Sequence, residues 1–181
     1  SLMKSDMEKT DAILIDRLNS NVGLINQMSH YIIASGGKRL RPLLLLLSAR
    51  ATNYTGKDHH AMAVVIELIH TATLLHDDVV DKSSTRRGQD TANELWGNAP
   101  SVLVGDFLYS RAFEILVEPN SMAIMKILSK TTNQIAEGEV LQLLNIKNAN
   151  VSQTEYFKVI EKKTACLFEA ACKIGALLSD S

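Results

Sequence analysis

The stretch from Ala61 to Lys82 constrains this chain more than any other, because it is apolar nearly all round and then ends in carboxylates. A helix with apolar side chains on every face belongs in the middle of a larger assembly, covered on all sides. The remaining sequence offers helices to cover it. Three prolines and nine glycines are all that punctuate 181 residues. Apolar residues return at three- and four-residue spacing, as in Ile15 and Leu18, in Val64, Leu68, Ala72 and Leu75, and in Ile124, Ile127 and Leu128. Breaks are predicted at Gly36-Gly37, Asn53 to Asp58, Ser83 to Asp90, Gly97 to Pro100, Pro119-Asn120 and Lys147 to Val151. Ser152-Gln153-Thr154-Glu155 reads as a capping box opening a helix that runs to Leu178. No strand alternation bounded by hairpin turns is visible, and no repeat. The reading is all-α, about eight helices in a single domain over residues 1–181.

Composition excludes several classes. A net charge of −1 gives no basic field for nucleic acid, and the cations are confined to short clusters. Cys166 and Cys172 lie six residues apart, on different faces of a helix, and read as buried thiols of a reducing cytoplasm. Uninterrupted apolar runs such as Leu43 to Leu47 are far too short to span a bilayer. Ser1 to Ser5 lacks the apolar stretch of a signal peptide, and Ser1-Leu2 ahead of Met3 reads as a cloning remnant. A soluble, cytoplasmic protein is expected.

Chemistry concentrates at His76-Asp77-Asp78-Val79-Val80-Asp81. At 100° per residue, Asp77 and Asp81 share a helix face one turn apart, with Asp78 beside them, so three carboxylates are expected to converge. They crowd the negative end of the helix dipole, which calls for a cation. Oxygen ligands without cysteine or paired histidine suggest Mg²⁺, which binds few carboxylates and completes its shell with substrate phosphates. A solvated acidic helix end is the plainer alternative, opposed by the apolar lead-in from Ile69 to Leu75.

Two cationic clusters accompany the acids. Gly36-Gly37-Lys38-Arg39-Leu40-Arg41-Pro42 places three cations after a flexible pair, and Arg86-Arg87-Gly88 follows Asp81 by five residues. Lysine supplies a point charge and arginine a planar fork for phosphate oxygens. Either cluster alone reads equally as surface charge. Together with the carboxylates they match the needs of two diphosphates, one held through metal and one held directly.

The segments GGKRLRP (36–42), LIHTATLLHDDVVD (68–81), TRRG (85–88), SVLVGDFLYSRAF (101–113), IAEGEVLQL (135–143) and KTACLFEAA (163–171) resemble, in order and spacing, the motifs of trans-type polyprenyl diphosphate synthases. The resemblance implies an isoprenoid-synthase-type helical bundle, incomplete at the C-terminus. It implies that Asp77, Asp78 and Asp81 hold Mg²⁺ on an allylic diphosphate such as farnesyl diphosphate, which Arg86 also grips. It places Lys38, Arg41, His70 and Arg87 at isopentenyl diphosphate, Lys163 and Thr164 near the allylic diphosphate and developing cation, and Gln142 in the pocket. It further implies a homodimer paired through Ser101 to Val117 and a product delivered to the membrane for quinone side chains. Short-chain synthases of this family block the product path with aromatic side chains ahead of the aspartates. Ala72 and Thr73, both small, are therefore expected to line an open path and permit a product of octaprenyl length.

One departure matters. The family carries a second aspartate-rich motif far downstream, whereas no two acidic residues other than Asp77-Asp78 are adjacent here. The expectation is an N-terminal piece of a longer synthase domain, inactive by itself. Terpene cyclases share the fold and an acidic motif but lack an isopentenyl site, against which Lys38, Arg41 and Arg87 argue. A non-catalytic partner subunit of a heteromeric synthase is the alternative reading; such subunits usually erode the first acidic motif, which is intact here.

Overall fold

A computed structural model describes residues 3–146 and 148–180. Ser1 and Leu2, read above as a cloning remnant, lie outside the described residues, as does Lys147 at the head of the last predicted break. The chain runs through α1 (Lys4–Arg17), α2 (Gly23–Ala34), α3 (Leu40–Ala51), α4 (Asp58–Val80), α5 (Ala92–Trp96), α6 (Asn98–Leu116), α7 (Met122–Asn145), α8 (Gln153–Ile160) and α9 (Cys166–Leu177). A π-helical turn, Glu161–Ala165, joins α8 to α9 without a break. The capping box is present, Ser152 accepting from the Glu155 amide while the Glu155 carboxylate accepts from the Ser152 amide.

The apolar segment forms the axis. Met62 to Ile69 of α4 is buried without interruption, and α6, α3, α1, α5 and α9 pack around it. Each fully buried side chain such as Ile66, Leu68 or Ile69 contributes about 1.5–3 kcal/mol by leaving water. Helix α3 carries Leu45 and Leu46 into the same core and lies between α4 and α9.

Three local expectations are corrected. The predicted break over Gly97 to Pro100 shrinks to Gly97 (φ 89°), because Pro100 sits in the first turn of α6, where a missing N–H costs nothing. A break that periodicity did not reveal separates α1 from α2, where Asn26 clasps Ser20 through both its amide groups. Strand structure was not expected, yet Thr85–Arg86 pairs antiparallel with Gln89–Asp90. Arg87 (φ 54°) and Gly88 (φ 77°) form its two-residue turn, and positive φ at both positions is the geometry whose twist suits a hairpin. Strands this short leave no alternation to read. Tertiary bonds hold the ribbon, from Tyr31 Oη to the Asp90 carbonyl and from Thr91 Oγ1 to the Ser83 carbonyl.

Candidate functional site

The last turns of α4 present two faces. One carries Thr73, His76, Asp77 and Val80 toward α6 and α7; the other carries Glu67, His70, Thr71, Leu74 and Asp78 toward the α2–α3 connection and the ribbon. Helical periodicity sorts most of them, since 73, 76 and 80 lie on one side and 67, 71, 74 and 78 on another, whereas His70 and Asp77, seven residues apart, share a stripe and are parted by their partners, Arg41 and Lys163.

On the first face Lys163 bridges two acids. Its Nζ lies 3.1 Å from Asp77 and 2.7 Å from Glu139 of α7. Burial opposes the Lys163 charge, but the two carboxylates prevail and hold its pKa above the ordinary lysine value. Glu139 is raised by burial and by the neighbouring Asp77 carboxylate, and its Oε1 is buried without a hydrogen-bond partner. Lys163 owes its position to the π-helical turn, a feature that often marks functional positions. Gly138 of α7 faces that turn so closely that a Cβ there would lie 2.8 Å from the Lys163 backbone nitrogen. Beyond these charges opens a cavity of about 590 Å³ between α4, α6 and α7, lined by Thr73, Tyr109, Ile135, Val140 and Leu143 among others.

The second face is cationic. Lys38, Arg39, Arg41 and Arg87 surround a basin of about 410 Å³, with Glu67 and His70 on its α4 wall. Arg41 packs over the Phe168 ring, 4.2 Å from its centre, and its Nη1 lies 3.2 Å from His70 Nε2. Burial pulls the Arg41 pKa below the ordinary arginine value, and its Nε has no partner. His70 is pushed down to about 3, first by burial and then by the surrounding arginines, so it is neutral at physiological pH. Glu67, paired with Arg39, is nonetheless raised by its own burial. Arg86 stands between the faces and donates through Nε and Nη2 to Asp78, at 2.7 Å in its shortest contact.

The predicted residues gather around the end of α4, with specific corrections. Asp77, Asp78 and Asp81 do not converge: theirs is not among the described triads of acidic, histidine or cysteine side chains whose ligand atoms all lie within 4.8 Å of one another. The reason is electrostatic, since Asp77 turns to Lys163, Asp78 to Arg86, and Asp81 caps the helix in solvent. Thr73 lines the large cavity, but Ala72, also expected there, is fully buried in the core and lines no part of it. Thr164 is exposed beside Lys163, and Gln142 sits one turn beyond Glu139 on α7 without lining the cavity. Lys38 is exposed at the mouth of the basin. Residue-level reasoning missed Glu139 and Glu67. Glu139 had a faint signal in Glu137-Gly138-Glu139, because glycine inside a helix costs about 1 kcal/mol against alanine and needs a packing reason. Glu67 had none.

A hard dication fits the acidic face. Its donors are all oxygen, Glu139 leaves one buried oxygen unbonded, and Lys163 already holds Asp77 and Glu139 as a cation would.

The fold and site together define a class of helical bundle whose buried central helix ends between an acidic cluster and a cationic basin. Residues 22–181 match the polyprenyl synthetase family, and the chain belongs to it. It is 50% identical over 178 residues to the octaprenyl diphosphate synthase of Escherichia coli (strain K12), covering 98% of this chain and 55% of that protein. Its identity to the all-trans-nonaprenyl-diphosphate synthase (geranyl-diphosphate specific) of Rhodobacter capsulatus is 43% over 175 residues, with 96% and 54% covered. The fold superposes with a TM-score of 0.97 on a polyprenyl synthase from Caulobacter crescentus CB15 crystallised with calcium and isoprenyl diphosphate. That protein is 47% identical, with 99% of this chain and 55% of that one covered. The chain thus spans about half the length of the curated relatives it matches. The isoprenoid-synthase-type bundle expected from the motifs is the fold observed, and no described helix is long and apolar enough to cross a membrane.

Proposed function

We propose that the whole protein is a long-chain trans-polyprenyl diphosphate synthase, octaprenyl in product, serving quinone side chains. The 181 residues would form one helical domain, the N-terminal part of a longer synthase domain, and would not turn over alone. One observation carries this reading: a cationic basin and an acidic, partly apolar cavity on adjoining faces of the same helix end. Isopentenyl diphosphate suits the basin. Lys38, Arg41 and Arg87 meet its phosphates, and neutral His70 beside Arg41 offers a hydrogen bond without adding charge. The allylic diphosphate suits the other face, with its tail in the 590 Å³ cavity past Thr73.

Asp77 and Asp81, with Asp78 once it leaves Arg86, would hold Mg²⁺, which would neutralise the leaving diphosphate when bound. Lys163 and Arg86, with Thr164 and Gln142 alongside, stabilise that charge as the allylic C–O bond breaks. The isopentenyl double bond then forms the new C–C bond and a proton leaves the adjacent carbon, taken by the released diphosphate. No protein nucleophile enters. A homodimer is part of the proposal, supported by Leu103 of α6, which is 67% exposed on the segment from Ser101 to Val117.

The test is incorporation of labelled isopentenyl diphosphate onto farnesyl diphosphate with Mg²⁺, by a chain extended to the relatives' length and, in parallel, by the 181 residues. An eight-unit product from the extended chain alone is expected. No prenyl transfer by the extended chain would refute the reading.

A further inference from the structure

At the far end of α4 from the proposed active site, three buried side chains meet that no part of the prenyl-transfer chemistry uses. Asp6 of α1 and the adjacent His59 and His60 of α4 bring ligand atoms within 4.8 Å of one another. Asp6 Oδ1 lies 3.1 Å from His60 Nε2 and 3.8 Å from His59 Nε2. The two imidazoles lie tilted by 37° to one another with ring centres 3.9 Å apart. Successive positions on a helix do not normally face one another, so this convergence is imposed by packing against α1.

The second observation is an orphan. His59 is 1% exposed, and both its ring nitrogens are buried without a hydrogen-bond partner. A buried polar atom left unpaired costs about 1–3 kcal/mol. The packing that tolerates this aims Nε2 at the same carboxylate oxygen that His60 meets.

We propose that Asp6, His59 and His60 form a binding site for a zinc-class metal ion that ties α1 to the first turn of α4. Two imidazoles and one carboxylate favour borderline ions such as Zn²⁺ or Co²⁺ over Mg²⁺, and zinc ligated at about 2.0–2.2 Å spaces its donors close to the separations seen here. Asp6 would bind through Oδ1 alone, because Oδ2 accepts from Arg50 Nε at 2.9 Å, the outer-shell bond that orients a ligating carboxylate. Arg50 also donates Nη2 to Oδ1 at 2.8 Å, and a dication must displace that contact. The Arg50 side chain is 43% exposed and can turn its Nη2 to water. Arg50 and the positive end of α4 both weaken the site relative to one built from anionic ligands alone.

The test uses the 181-residue chain after dialysis against a chelator. Zn²⁺ is titrated calorimetrically at neutral pH with Mg²⁺ in excess to fill oxygen-only sites. One zinc per chain is expected, with Tm raised by roughly 5–10 °C at zinc about a hundredfold over Kd. Zinc should also shift the His59 ring resonances in the wild-type chain, a readout that needs no variant. His59→Ala and His60→Gln, each shown folded by circular dichroism, should lose the binding and the Tm rise. Absence of stoichiometric zinc binding by the wild-type chain, or undiminished binding in both variants, would overturn the site.

Discussion

The two faces at the end of α4 differ in the sign of the charge they can accept. The basin has four cations against Glu67, whereas the adjoining face sets Asp77 and Glu139 against Lys163 and backs them with an apolar cavity. A diphosphate can enter the first without help. At the second it meets carboxylates, so a cation must stand between them, and the apolar wall beyond can accept only a hydrocarbon. One helix separates the faces, so on the proposed function the reacting carbons of two substrates would lie near each other while their diphosphates stay apart. The comparison teaches that unlike walls would let one helix end hold two like anions side by side.

The assignment can be broken most decisively at Asp77. In a chain of the relatives' length, Asp77→Ala should lower turnover by about 10²–10⁴-fold, several kcal/mol of lost charge stabilisation, with an unchanged circular dichroism spectrum. Near-wild-type turnover in Mg²⁺ would remove the acidic face from the chemistry. Next come the cations. Arg41→Ala or Lys38→Ala should raise KM for isopentenyl diphosphate by about ten- to a hundredfold, and Arg86→Ala should act on the allylic substrate instead, since each charge-assisted contact is worth about 1.5–3 kcal/mol. Equal effects of all three on both substrates would erase the distinction between the faces.

The cavity sharpens the contrast further. Thr73→Phe would put a ring into its wall and should shorten the product, read by chromatography of the dephosphorylated alcohols, with little change in KM for isopentenyl diphosphate. Ala72→Phe should instead overpack the core and lower Tm, at a cost of about 1–3 kcal/mol. A full-length product from Thr73→Phe would show that the tail takes another route.

The smallest effect concerns pH. His70 has its pKa depressed in the fold to about 3, below its ordinary 6.5. Its contribution is therefore intact above pH 6.5 and is lost as pH falls toward 3, because the unfolded chain takes up a proton that the fold refuses. Tm should drop on acidification from pH 7 by up to about 2–4 °C per pH unit more in wild type than in His70→Asn. Identical pH profiles would mean that His70 is not held neutral by the basin.

The fold was legible because it rests on local pattern. An apolar segment without a polar face must lie at the centre, and residues 62–69 do. The capping box at Ser152 opened its helix as read, because both halves of that device lie within four residues. The ribbon at 85–90 was not legible, since two-residue strands leave no alternation and this one is pinned by Tyr31, far away in sequence. Nor was the π-helical turn at Glu161–Ala165, which no composition marks.

For the candidate site, sequence alone determined which residue types exist and on which face of a helix each must lie, because 3.6 residues per turn is a property of the backbone. It thereby placed Asp77 and Asp78 at one helix end with two cationic clusters nearby in the chain. Tertiary structure alone decided the partners. Asp78 could have turned to metal, solvent or Arg86, and the ribbon delivers Arg86. Lys163 and Glu139 lie 24 residues apart and meet only because Gly138 lets α7 approach the π-helical turn. His59 and His60, adjacent in sequence, acquire a common carboxylate only when α1 packs Asp6 against them. Periodicity is local and can be read from the chain, but Coulombic pairing falls with distance in space, and only the packed helices set that distance.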